Sequence, residues 1–331
     1  MPTWDPATSP DVWVDPDGKA TLREHVDPNR ETDMKRMRQT LAAVAAAPLL
    51  TACADTIQPQ PIDFLDPQHE VVVERDLVYA TGEVRRPETG QKDLLLDVYR
   101  PATLGGPALR PGIVLVHGGG FTVGDKSRHP IPELARRFAE IGYVAVAINY
   151  RLTGDDPPTE ALSTNPTDSI RVAAAAARVD AALAVQWLRD HASEYRVHPE
   201  SIAIGGYSAG ATTALGVAYW VPGVQHADVD AVLSLSGGLR DSESMIEAGE
   251  PPLLLIHGEF DSARPYSEAV ADRAAEVGLT YEMHEIPGVD HAGVRDALDT
   301  VIGSSTVWSI ITGFLYDHLY LLALQDVATL P

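Results

Sequence analysis

The chain has 331 residues, of which 45% are hydrophobic and 22% charged, which is material for a sizeable core and excludes wholesale disorder and collagen-like repeats. Its one cysteine excludes an internal disulfide framework. Forty-seven acidic against 25 basic residues leave a formal net charge of −22, a surface that repels polyanions and excludes nucleic acid as a partner.

Residues 1–33 are rich in Pro and Asp and carry no hydrophobic period. From Met34 the chain reads as an export signal: a basic cluster (Lys35, Arg36, Arg38), an apolar run from Leu41 to Leu50, then small residues. The run is well short of the roughly 20 residues that span a bilayer. Leu50-Thr51-Ala52-Cys53 resembles a bacterial lipoprotein box, whose cysteine is acylated and becomes the new N-terminus. A buried cysteine ending an Ala-rich helix would leave the basic cluster unexplained. The expectation is that residues 1–33 lie upstream of a native start at Met34 or Met37, and that 34–52 are a lipoprotein signal peptide. Cys53 is then the lipid attachment site, anchoring an exported protein to the membrane on its periplasmic or cell-surface side. Residues 53–68, with Pro59, Pro61 and Pro67, read as a tether, and 69–331 as the folded domain.

Within that domain the strand candidates are Val71–Ala80, Leu94–Arg100, Gly112–His117, Tyr143–Tyr150, Ser201–Gly205, Ala231–Leu235, Pro252–His257 and Tyr281–Ile286. Helical spacing or Ala-rich content marks Ile131–Ile141, Ser169–Tyr195, Ala209–Tyr219, Tyr266–Val277 and Val307–Gln325. The runs Ile113–Val116, Val144–Ile148 and Leu253–Ile256 are continuously apolar, as central strands covered on both faces must be. An α/β fold follows, with a mostly parallel eight-stranded sheet and helices on both faces. Ligands in such sheets sit beyond the carboxyl ends of the strands.

Three of those ends carry chemistry. Gly112–Val116 runs into His117-Gly118-Gly119-Gly120-Phe121, whose glycines free backbone N–H groups to converge on one spot, as an oxyanion requires. A phosphate cradle would need a Lys-Ser/Thr ending or a G-x-G-x-x-G, and neither is present. His117 reads as a residue that shapes this loop. Ser201–Gly205 runs into Gly206-Tyr207-Ser208-Ala209-Gly210 and then a helix, the G-x-S-x-G turn that exposes a nucleophilic serine at a helix N-terminus. A serine needs a neighbouring base held by a third group. His291, in a Gly-bounded loop after the last strand, is the base candidate, whereas His257 reads as packing or capping locally. Asp261, a few residues past Leu253–Ile256, is the acid candidate; Glu259 and Asp290 are its rivals. The chain order Ser208, Asp261, His291 is that of α/β-hydrolases.

Together these residues resemble the bacterial hormone-sensitive-lipase-like branch of the α/β-hydrolase esterases. His117–Phe121 matches its oxyanion motif, and Asn149-Tyr150-Arg151-Leu152, Asp180 to Trp187 and His198–Ile202 resemble further segments of it. The likeness runs over about residues 92–295. It implies an α/β-hydrolase fold, Ser208, Asp261 and His291 as the catalytic triad, Gly119, Gly120 and Ala209 as N–H donors to the oxyanion, and no cofactor. One departure stands out: the family has an acidic residue where Tyr207 precedes the serine. The short stretch Gly237–Pro251 and the tether before Val71 leave room for only a small cap, and Thr153–Thr167, rich in Pro and Asp, is the expected rim.

The expected function is serine hydrolysis of small-molecule carboxylic esters through an acyl-enzyme, on short acyl, aryl or acetylated substrates. An arylformamidase or serine peptidase shares this machinery. A catalytically dead binding module would have lost a triad residue or a loop glycine, and none is lost here. No H-E-x-x-H or Cys/His cluster marks a metal site.

Overall fold

The computed structural model describes residues 12–14, 20–22, 63–104, 109–219, 228–240 and 242–321. The chain divides into two compact units, Met1–Ile57 and Gln58–Pro331. In the first, Val12–Val14 pairs antiparallel with Ala20–Leu22, a hairpin in a stretch for which the sequence predicts no element. The predicted signal segment 34–52 and Cys53 lie outside the described residues.

The second unit is built on eight strands: β1 (Val71–Val84), β2 (Gly90–Pro101), β3 (Arg110–Val116), β4 (Val144–Ile148), β5 (Val197–Tyr207), β6 (Ala231–Leu235), β7 (Leu253–Phe260) and β8 (Tyr281–Asp290). They form one sheet in the order β8-β7-β6-β5-β3-β4-β2-β1. β1 pairs antiparallel with β2, and β2 antiparallel with β4. The remaining pairs are parallel. The five main helices are α1 (Ile131–Glu140), α2 (Ser169–Asp190), α3 (Ala209–Tyr219), α4 (Arg264–Val277) and α5 (Val307–His318).

Strand periodicity divides the core into two halves. Val114 and Val116 of β3, with Val144, Val146 and Ile148 of β4, point to the face covered by Ala173 and Ala177 of α2, Leu215 of α3 and Val270 of α4. Ile113 and Leu115, with Ala145 and Ala147, point to the other face, covered by Leu134 and Phe138 of α1 and Ile311 and Phe314 of α5. β3, β4 and β6 are buried along their whole length, which is why their sequences do not alternate. No described helix is long and apolar enough to cross a membrane, and α5 packs on the sheet.

Of the boundaries that differ from the sequence expectation, two bear on how the chain is divided. The predicted helix Ser169–Tyr195 is interrupted at His191, where the backbone N–H turns back to the Arg189 and Trp187 carbonyls before a last turn, Ala192–Tyr195. The stretch read as a tether also includes residues that pack into the core. Phe64 is 1% exposed and meets Tyr143 edge-on at 6.2 Å, while the Gln68 and His69 N–H groups donate to the Glu140 carbonyl. Burying a phenylalanine contributes roughly 2–3 kcal/mol. The fold therefore begins before residue 69, and the tether reading is left to residues 53–62, outside the described ones.

Candidate active site

Parallel strands that all end at the same edge of the sheet bring three loops together there. The first is the turn between β5 and α3. Ser208 takes φ +55°, a left-handed conformation costly for a side chain with a Cβ, and its N–H donates to the Leu235 carbonyl at 2.8 Å. Such a turn fits only because Gly206 and Gly210 lack side chains. A Cβ on Gly206 would lie 2.5 Å from the Gly210 carbonyl carbon and 2.6 Å from Val116 O, and one on Gly210 would overlap the Val116 carbonyl. The glycines thus admit β3 as well as the strand and helix that they join.

The second is the loop after β3. Gly119 has φ +130° and leaves no space for a Cβ beside the Val123 carbonyl; Gly120 has φ +62°. The Thr122 and Val123 N–H groups fold back onto the Gly119 carbonyl at 3.1 and 3.2 Å. A Cβ on Gly118 would sit 3.3 Å from the Ser208 Cβ, so the loop lies directly against the serine turn. The N–H groups of Gly119 and Gly120 donate to no acceptor among the described residues. Ala209, first residue of α3, carries one of the N–H groups that no helical turn can satisfy.

His117 anchors this loop rather than facing the serine. Its ring stacks on Tyr150 at 4.2 Å, its Nδ1–H donates to the Gly118 carbonyl at 2.7 Å, and Tyr150 Oη donates to the His117 carbonyl at 2.9 Å. Burial pushes the imidazole down to about 4, so it is neutral in the folded protein. The folded state consequently binds fewer protons than the unfolded state below the ordinary histidine value of 6.5. Stability is complete above that value and falls as pH drops, by about 3 kcal/mol at pH 4. Urea unfolding between pH 7 and pH 4 measures this, and H117Q is expected to flatten the decline; an unchanged slope in H117Q contradicts the assignment.

The third loop set comes from β7 and β8. Asp261 lies just past β7, and its Oδ1 accepts from His291 Nδ1 at 2.7 Å and from the Ala263 N–H at 2.8 Å. His291 Nε2 accepts from Ser208 Oγ at 2.9 Å. Burial alone would raise the Asp261 carboxyl, but hydrogen bonds from His257, His291 and the Ala263 N–H outweigh it and hold the group well below the carboxylate range. The structure thus brings together Ser208, His291 and Asp261. The rivals point elsewhere: Glu259 accepts from the Gly288 N–H and Asp290 from the Gly293 N–H, each at 2.8 Å. His257 is fully buried and its Nδ1 donates to the second Asp261 oxygen at 3.5 Å, which caps that carboxylate locally. What brings Asp261 and His291 together is a close approach of the two strands. A Cβ on Gly258 would overlap the Val289 carbonyl, and the β7–β8 register shifts between Ile286 and Asp290.

Behind the site, Arg151 and Asp180 form a buried pair. Arg151 Nη2 lies 2.6 Å and Nε 3.0 Å from the carboxylate, whose Oδ2 also accepts the Arg151 N–H at 2.8 Å. Burial raises the Asp180 carboxyl and Arg151 opposes that rise. The pair pins the segment after β4 to α2, and Thr153 N–H donates to Phe121 O at 2.9 Å, which ties that segment to the glycine loop.

One contact was not expected from the sequence. Tyr207 Oη donates to the His291 carbonyl at 2.7 Å, and its ring centroid lies 5.6 Å from the imidazole. The only sequence signal was that Tyr207 stands where the resembling family has an acid. Among the described residues no cluster of three or more His, Cys, Asp or Glu is arranged to hold a metal ion.

Comparison with known proteins agrees with this architecture. The BD-FAE family model matches residues 96–222, and the Phospholipase/Carboxylesterase model matches residues 166–308. Esterase LipQ of Mycobacterium tuberculosis is 26% identical over 251 residues, covering 61% of this chain and 55% of LipQ. The probable carboxylic ester hydrolase LipM of the same organism is 27% identical over 257 residues, covering 64% and 56%. The chain thus spans about half the length of these curated relatives. Among solved structures, Thermogutta terrifontis esterase 2 phosphorylated by paraoxon superposes with a TM-score of 0.54 at 23% identity, covering 76% of this chain and 95% of that one. Its butyrate-bound form gives 0.54 at 22% identity, with the same coverage. The strand order, the serine turn between strand and helix, and these likenesses establish that the chain has the α/β-hydrolase fold.

Proposed function

We propose that this chain hydrolyses carboxylic esters through a covalent acyl-enzyme on Ser208. The observation that carries the reading is the unbroken succession of hydrogen bonds from Ser208 Oγ through His291 to Asp261, 2.9 and 2.7 Å long, beside a glycine loop with unclaimed N–H groups. His291 takes the Ser208 proton as Oγ attacks the ester carbonyl carbon. The N–H groups of Gly119, Gly120 and Ala209 receive the oxyanion, with each such donor contributing on the order of 10²–10³ in rate. When the intermediate collapses, the carbon–oxygen bond to the alcohol breaks and His291 delivers its proton to that alcohol. A water then repeats the sequence and releases the acid. Asp261, ionised throughout, holds the His291 Nδ1–H and stabilises the transient imidazolium.

The names of the sequence relatives favour esters over formamides or peptides. The butyrate held by Thermogutta terrifontis esterase 2 makes short acyl esters the first substrates to try. Purified protein is expected to turn over p-nitrophenyl butyrate and to take up one diethylphosphoryl group from paraoxon at Ser208, read by peptide mass spectrometry. Protein that does neither is not this enzyme.

The layout of residues 34–53 supports export and lipid anchoring at Cys53 as part of the same reading. Mass spectrometry of protein from its native membrane is expected to find an acylated peptide beginning at Cys53; an unmodified Cys53 inside a longer peptide refutes it.

A further inference from the structure

We propose that Tyr207 is a positioning residue, its hydroxyl setting the place of the His291 imidazole by holding that residue's backbone. The inference rests on the reading of Ser208 and His291 as nucleophile and base. Tyr207 is the last residue of β5 and Ser208 follows it directly, so a bond from Tyr207 to His291 refers both reacting side chains to the end of one central strand.

The need for such a bond follows from where His291 stands. β8 ends at Asp290, and the His291 side chain is 35% exposed. Asp290 closes the turn onto the Gly293 N–H, and the contacts beyond, a His129–Asp296 hydrogen bond and an Arg137–Asp299 ion pair, lie at the solvent surface, where such contacts hold weakly. The His291 carbonyl itself is held by Tyr207 Oη at 2.7 Å. Tyr207 is firmly seated, being 7% exposed, with its ring edge against Gly118 of the oxyanion loop. It therefore touches the glycine loop, adjoins the nucleophile and holds the base.

The chemistry explains why a tyrosine can stand here. A carbonyl only accepts, so its partner must donate, and an ionised carboxylate cannot. Burial raises the Tyr207 hydroxyl, reinforced by Asp261, Asp290 and Asp296 and opposed by Arg295, so the donor keeps its proton through the working pH range.

Tyr207→Phe removes this oxygen and leaves the ring. Since misplacement of a reacting group by about 1 Å costs up to 10²-fold, Y207F in the full chain is expected to lower kcat for p-nitrophenyl butyrate roughly 10-fold to 100-fold. KM should stay within about twofold, because the hydroxyl faces the base rather than the substrate. The rate constant for paraoxon inactivation, counted per titratable Ser208, is expected to fall by the same factor. A kcat within twofold of wild type overturns the inference. So does a loss that disappears once activity is normalised to paraoxon-reactive sites, since that would be a folding defect, or a rise in KM at constant kcat. Wild-type protein that neither cleaves the ester nor reacts with paraoxon overturns instead the ester reading, and the role of Tyr207 with it.

Discussion

Replacing Ser208 by alanine is expected to lower kcat for p-nitrophenyl butyrate by about 10⁶-fold, the loss typical when the nucleophile of a serine triad is removed. The size follows from the interdependence of the three groups. Without Oγ there is no attacking atom 2.9 Å from His291 Nε2, so the imidazole and Asp261 have nothing to activate. What remains is binding and the donors of the glycine loop, which by themselves retain on the order of 10³–10⁴ over water. The substitution leaves the φ +55° turn in place, and Gly206 and Gly210 still permit it, so the variant should fold. Steady-state kinetics with a wild-type contamination control, and the disappearance of the paraoxon adduct, measure the effect. Turnover within tenfold of wild type would mean that the reaction uses another residue.

The second large effect is expected for Asp261→Asn, a loss of roughly 10⁴-fold in kcat near neutral pH. Asparagine is nearly isosteric but uncharged. It can present its amide N–H to His291 Nδ1 and so favour the tautomer in which Nε2 carries the proton and cannot accept from Ser208. It also withdraws the negative charge that stabilises the imidazolium. Stability adds an independent check with a definite sign. The Asp261 carboxyl is held well below the ordinary 3.8, so its ionised form stabilises the folded state above that value. The contribution fades as pH falls towards the folded-state value. Urea unfolding should therefore show D261N less stable than wild type at pH 7, with the gap narrowing by pH 3. A gap of equal size at both pH values would show that the carboxylate charge is not what the surrounding donors stabilise.

The fate of the three acids at the carboxyl edge illustrates how much of the site is local. Glu259, Asp261 and Asp290 all fall a few residues past a strand predicted from the sequence, and spacing ranks them without separating them. The separation comes from Gly258 meeting Val289 and from the register shift in β8, contacts between chain segments about 30 residues apart. Phe64 is a similar case. Its Pro-rich surroundings read as linker, and only the presence of Tyr143 across the core makes it a buried side chain. β5 extends beyond its apolar run to Val197, which pairs with Arg110 of β3.

The amino-acid sequence by itself determined the order of strands and helices, the serine turn and the glycine loop. These depend on apolar periodicity and on which residues tolerate a positive φ or the loss of a Cβ, properties that act within five to ten residues of chain. Only the tertiary structure decided which carboxylate reaches the imidazole, where the folded unit begins, and that the Tyr207 hydroxyl reaches the backbone of His291. Each of those outcomes is a distance between segments remote in sequence, fixed by packing and strand register, and no local pattern encodes it.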